Sequence, residues 1–181
     1  MDEILFRDKY RIPSTRLKTW NYGGSGWYFI TICTNGKQPF FGKIRHGTMQ
    51  LSKMGQIAKQ CWAQIPDHFP NVQLDEFVIM PDHVHGIIVI KSPVETHNHA
   101  SNPITIQSNG NKFGPQSKNL ASIIRGFKIG VTQWARTNGS PFFMWQPRYY
   151  DHIIRDEDAL KEIRQYIRNN PLKYGLTRRD A

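Results

Sequence analysis

Hydrophobic positions along the chain cluster or alternate in short runs in some stretches and recur at helical spacing in others, and the order of these patterns sets the fold class. Trp27-Tyr28-Phe29-Ile30-Thr31-Ile32-Cys33-Thr34 is aromatic and β-branched, which predicts a strand. Asn35-Gly36 marks a turn, and residues 42–51 are expected to form a partner strand. Ser52 is placed to cap a helix running to about His68, ahead of Pro70. Residues 72–80 and 83–90 are two further apolar strands separated only by Pro81-Asp82, a length that requires a hairpin or bulged turn. Over 119–137, Leu120, Ile123, Ile124, Phe127 and Val131 share one side, which predicts an amphipathic helix. Residues 145–154 contain another strand. The last helix is expected from Asp156 to about Asn170, ending at Pro171, because the residue before a proline is biased away from helical backbone.

Strands, helix, strand pair, helix, strand, helix is an α+β order: a central antiparallel sheet with helices packed on it. There is no internal repeat and no regular βα alternation, so a doubly wound sheet is not expected. The chain of 181 residues favours one domain. Residues 1–26 are polar, basic and then glycine-rich, an N-terminal arm; 27–176 form the domain. Residues 92–117, rich in Ser, Asn, Gln, Gly and Pro, read as a mobile loop inside it, and 177–181 as a tail.

Charge narrows the partners. Twenty-four Lys and Arg against 14 Asp and Glu leave a formal net charge of +10, and an excess of that size on a small domain favours a polyanion, nucleic acid first. The two cysteines, Cys33 and Cys61, are far apart and suggest neither a disulfide framework nor a cysteine metal site. Met1-Asp2-Glu3 opens acidic, without the apolar run of a signal peptide, and no apolar stretch is long enough for a membrane span. A cytoplasmic protein is expected.

Two local patterns carry candidate chemistry. In Met80-Pro81-Asp82-His83-Val84-His85-Gly86, strand alternation points His83 and His85 to one face, where two imidazoles can hold a metal. Gly86 leaves room for close approach to the backbone. The competing account is two hydrogen-bonded, inert histidines at a strand end. In the last helix Leu160, Ile163 and Ile167 form the core stripe, and Tyr166 and Asn170, four apart, share its shoulder. They could serve one site as nucleophile and metal ligand, or be a half-buried tyrosine and a helix-ending asparagine.

The segments "MPDHVHGII" and "WQPRYYDHIIRDEDALKEIRQYIRNNPLKYGL", with "YRIPSTRLKTWNYGGSGWYFITICT" and "SIIRGFKIGVTQWAR", resemble the REP-associated tyrosine transposases of the single-tyrosine HUH endonuclease superfamily. The similarity runs from about residue 10 to 176. One departure is Asp82, where that family more often has asparagine. The resemblance implies a ferredoxin-like or RRM-like HUH endonuclease fold. It also implies a divalent metal, magnesium or manganese, on His83, His85 and Asn170, with Tyr166 as the nucleophile that forms a 5′-phosphotyrosine with single-stranded DNA. Imidazole alone would equally suit zinc or nickel. The expected substrate is hairpin DNA of palindromic repeats, with monomer or homodimer open. No phosphate-binding GxxxxGK[ST] loop is present, in keeping with a reaction that conserves the ester bond in the tyrosine link.

Arg125, Lys128, Arg148 and Arg168 are expected phosphate contacts, with a solvated face as the alternative. Tyr149 and Tyr150 are rival nucleophiles, His152 supports either site or fold, and His97 and His99 form a second His-x-His without a rigid strand to fix it. Rival functions are a domesticated DNA-binding protein without cleavage, a replication initiator or relaxase, and an RNA-binding α+β module.

Overall fold

The computed structural model describes residues 22, 24–91 and 119–177, with side chains to 174. The 92–117 loop, with His97 and His99, most of the 1–26 arm and residues 178–181 lie outside the described residues.

The strands are β1 (Gly26–Cys33), β2 (Gly42–Arg45), β3 (Thr48–Leu51), β4 (Val72–Ile79), β5 (His83–Ile90) and β6 (Tyr150–Ile154). The helices are α1 (Lys53–Ala63), the single turn α2 (Ile65–His68), α3 (Leu120–Thr137) and α4 (Glu157–Thr177). One sheet has the order β4-β5-β1-β6, antiparallel at every pairing, so the expected α+β architecture is present. The apolar β1 and β5 are its two central strands, paired from Gly26↔Ile90 to Cys33↔His83. Alternation divides their side chains between two layers. Tyr28, Ile30, Ile32, Val84, Ile88 and Ile90 join the main core with α1 and α3, while Ile87 and Val89 join Leu160 and Ile167 of α4. β5 is buried on both faces, which suits its apolar run from Gly86 to Ile90.

Four expectations change. Residues 42–51 do not extend the main sheet but make their own hairpin, β2–β3, around His46 and Gly47, whose φ of 50° and 72° suit the tight two-residue turn. The helix from Ser52 breaks at Gln64, ahead of Pro66, into α1 and α2; the Ser52 hydroxyl does cap α1, accepting from Gly55 N at 3.0 Å. Tyr22, inside the expected polar arm, is buried and stacked on Tyr28 at 5.8 Å. The last helix runs through Pro171 to Thr177. Proline deletes one ladder hydrogen bond there, but tertiary packing carries the helix on: Leu172 lies against Gly47 of the hairpin, and Tyr174 reaches Asp82.

Two ion pairs join α4 to β4, the first of them bidentate. Arg164 donates to Asp75 at 2.8 and 2.7 Å, and Arg168 pairs with Glu76. Both acids sit where the β4–β5 register slips between Leu74 and Phe77. The Arg164 guanidinium holds the Asp75 carboxyl below its ordinary value. No helix among the described residues is long and apolar enough to cross a membrane.

Candidate active site

Since β5 alternates, His83 and His85 face α4, whereas Val84 faces α1 and α3. Their rings are 4.5 Å apart between centroids. Tyr166 of α4 stands over His85 with ring centroids 5.2 Å apart, and its hydroxyl lies 3.3 Å from His85 Nε2. Phe29, the neighbour from β1, stacks on His85 at 5.4 Å and meets Tyr166 edge-on at 6.0 Å. His85 is 5% exposed, while Tyr166, at 40%, presents its ring to solvent. His83, His85, Tyr166 and buried Asn170 line one cleft of about 440 Å³, together with Thr31, Cys33, Lys37, Asp82, Lys173 and Tyr174.

Each imidazole is held at Nδ1. Thr31, opposite His85 in the β1–β5 register, bonds His85 Nδ1 through its hydroxyl at 2.9 Å. Asp82 Oδ1 lies 2.6 Å from His83 Nδ1. With the ring N–H placed at Nδ1 in both histidines, as the Asp82 carboxylate requires for His83, each Nε2 carries its lone pair, and that of His85 lies at the Tyr166 hydroxyl. Among the described residues no group of three or more His, Cys, Asp and Glu forms a metal cage, and the buried Asn170 amide lines the same cleft as the two imidazoles. Two imidazole nitrogens and an amide oxygen fit a divalent cation that keeps open positions for phosphate oxygens.

Burial first, and the charge of His83 second, push the His85 imidazole from 6.5 down to about 3, against the opposing effect of Asp82. The ring is therefore neutral at neutral pH. On acidification the unfolded chain takes up a proton here near 6.5 and the folded chain only near 3, so this contribution to stability is complete above pH 6.5 and is lost as pH falls toward 3. In cation-free protein, urea unfolding between pH 7 and 4 should show a steeper loss for wild type than for His85→Gln. Equal slopes would contradict the buried neutral imidazole.

The remaining expected residues lie elsewhere. Gly86 faces the main core, and the space above it is filled: a Cβ there would sit 2.3 Å from the Trp62 ring, so it serves packing rather than substrate approach. Tyr149 packs against the main core. Tyr150, 52% exposed, pairs with Thr31 on β6, two strands or about 10 Å from His85. His152 lies on the same edge strand, opposite Phe29. The Lys128 ammonium donates to the carbonyls of Gln146 and Arg148 at 2.8 and 3.1 Å, and burial pushes it down to about 8. It thereby holds the approach to β6. With exposed Arg125 it lines a second groove, of about 690 Å³, on α3. Arg148 is exposed on that approach, and Arg168 is engaged by Glu76.

Sequence reasoning missed Thr31, Lys37, Lys173 and Tyr174 as cleft residues. Thr31 was findable as the cross-strand partner of His85 once β1 and β5 are paired. Tyr174 continues the stripe Tyr166, Asn170, Tyr174 at steps of four, concealed by reading Pro171 as the end of the helix.

No protein-family model matches the chain. An uncharacterized protein of Haemophilus influenzae is 47% identical over 159 residues, 88% of this chain and 87% of that protein. A second protein of that organism, named as a candidate REP-associated tyrosine transposase, is 28% identical over 150 residues, 83% of this chain and 72% of the relative. Among solved structures, a REP-associated tyrosine transposase bound to a REP hairpin superimposes with a TM-score of 0.56 at 17% identity, covering 92% of this chain and 75% of that one.

Proposed function

We propose that the chain is a REP-associated tyrosine transposase, a reading supported by its likeness to the relative of that name and to the transposase fold, and that it nicks and rejoins single-stranded DNA through a 5′-phosphotyrosine at Tyr166. The observation that carries this reading is the Tyr166 hydroxyl at 3.3 Å from His85 Nε2, in the cleft that also holds His83 and Asn170. By likeness to the relative solved with a REP hairpin, the substrate is hairpin-forming DNA.

The Tyr166 oxygen forms the new bond to phosphorus as it gives up its proton. The bond to the 3′ oxygen breaks, and that oxygen leaves with the electron pair and takes a proton. The products are a 5′-phosphotyrosine and a free 3′-hydroxyl, and attack by another 3′-hydroxyl reverses the step on a new strand. His83, His85 and Asn170 would hold magnesium or manganese. When bound, such a cation neutralises charge on the scissile phosphate and favours the phenolate over the phenol, whose ordinary pKa is about 10. Phe29 and His85 fix the Tyr166 ring between them, which limits its rotation away from a phosphate in the cleft. Lys37 and Lys173 line the same cleft and place positive charge where a DNA backbone would enter.

Purified protein incubated with labelled hairpin DNA and manganese should form a covalent adduct stable to denaturing electrophoresis. Chelator, or the double substitution His83→Ala with His85→Ala, should reduce adduct formation by on the order of 10²-fold or more. Full activity in chelator would refute the cation requirement. Tight binding with no adduct across varied hairpins would favour a DNA-binding protein that has lost cleavage.

A further inference from the structure

We propose that Asp82 and Tyr174 are positioning residues that set the cation affinity of His83, an inference that rests on the cation reading of the cleft. Asp82 lies in the three-residue connection of β4 to β5 and is 3% exposed, so its carboxylate needs fixed partners. One oxygen lies 2.6 Å from His83 Nδ1. The other accepts from the Tyr174 hydroxyl at 3.3 Å. The Asp82 backbone is anchored as well: its carbonyl accepts from the Thr34 amide at 2.9 Å and from the Thr34 hydroxyl at 3.0 Å, and Thr34 is fully buried.

Three consequences follow from the carboxylate. It can only accept from imidazole, so it fixes the His83 proton at Nδ1 and leaves Nε2 as the ligand nitrogen. Its negative charge makes that nitrogen a better donor and adds one outer charge to a donor set that is otherwise neutral. An asparagine here could instead donate from its amide to Nδ1 and move the proton to Nε2, where it would block a cation. Tyr174 restrains the second oxygen from the far end of α4, the helix that also carries Tyr166 and Asn170. The continuation of α4 beyond Pro171 therefore links the nucleophile helix to the ligand strand through Asp82.

The test is direct titration of the full chain with Mn²⁺ alone, without DNA, following free Mn²⁺ by electron paramagnetic resonance. Asp82→Asn should weaken affinity about 10- to 100-fold. Tyr174→Phe, which removes one hydroxyl, should weaken it about three- to tenfold. The tyrosine effect should largely disappear in the Asp82→Asn background, because the two act through one carboxylate. A merely structural role would lower thermal stability without this coupling. Wild-type binding with unchanged affinity in Tyr174→Phe and in folded Asp82→Asn would overturn the inference and leave the cation reading intact. No Mn²⁺ binding by wild type would overturn both. If Asp82→Asn fails to fold, unchanged affinity in Tyr174→Phe alone is sufficient to overturn the role of Tyr174 and with it the proposed pair.

Discussion

Tyr166→Phe should lose covalent attachment to hairpin DNA by on the order of 10³-fold or more while keeping its fold. The substitution removes only the hydroxyl that lies 3.3 Å from His85 Nε2. The ring remains edge-on to Phe29 and beside His85, so the packing of the cleft is preserved. The hydroxyl belongs to a side chain that is 40% exposed, so the cost to stability is small, within about 1 kcal/mol. Denaturing gels score the adduct, a melting curve scores the fold, and binding to the same hairpin should stay close to wild type. Adduct at the wild-type level would move the nucleophile elsewhere. Tyr150 is then the first candidate, since it is exposed at the edge of the same sheet face, and Tyr174 the second, since it shares the cleft.

The largest effect on stability is expected at Trp62, on the opposite face of β5 from the histidines. Its ring is fully buried, stacks on Phe77 at 6.0 Å, meets Phe127 edge-on at 5.2 Å and covers the backbone at Gly86. Trp62→Ala should cost about 3–5 kcal/mol, a fall in Tm of roughly 10 °C for a chain of this size. Trp62→Phe should recover most of that. It keeps an aromatic ring against Phe77 and removes the indole N–H, the buried side-chain group without a hydrogen-bond partner among the described residues. Because Gly86 follows His85 directly, the alanine variant should also loosen the histidine strand. Thermal unfolding of the three proteins checks the order wild type, phenylalanine, alanine.

Much of the fold was legible because its strands carry strong local signals. β1 is aromatic and β-branched, β5 ends in the β-branched run Ile87–Ile90, and α3 buries six apolar residues on one face. Local pattern also placed His83 and His85 on one face of β5. What it missed depends on partners distant in sequence. Whether 42–51 joins the main sheet or pairs with itself depends on which edge is available, and neither half of the hairpin carries that information. Pro171 is a valid local stop signal overridden by packing of Leu172 on Gly47. Lys128 reads as a solvated or DNA-facing cation from helix spacing alone, yet carbonyls 18 and 20 residues away take its three-donor ammonium. Arg168 reads likewise, yet Glu76, at the register shift of β4 beneath α4, claims it. Spacing alone does not single out one tyrosine. Tyr149, Tyr150 and Tyr166 are equivalent as residue types, and only tertiary structure puts Tyr166 on His85.

The central claim is that DNA becomes attached to Tyr166. Wild-type protein should be trapped with hairpin DNA and manganese, digested with protease and nuclease, and the nucleotide-bearing peptide sequenced by mass spectrometry. The account predicts a 5′-phosphonucleotide on the peptide containing Tyr166. A nucleotide on Tyr149, Tyr150 or Tyr174, or a 3′ rather than a 5′ linkage, would contradict it.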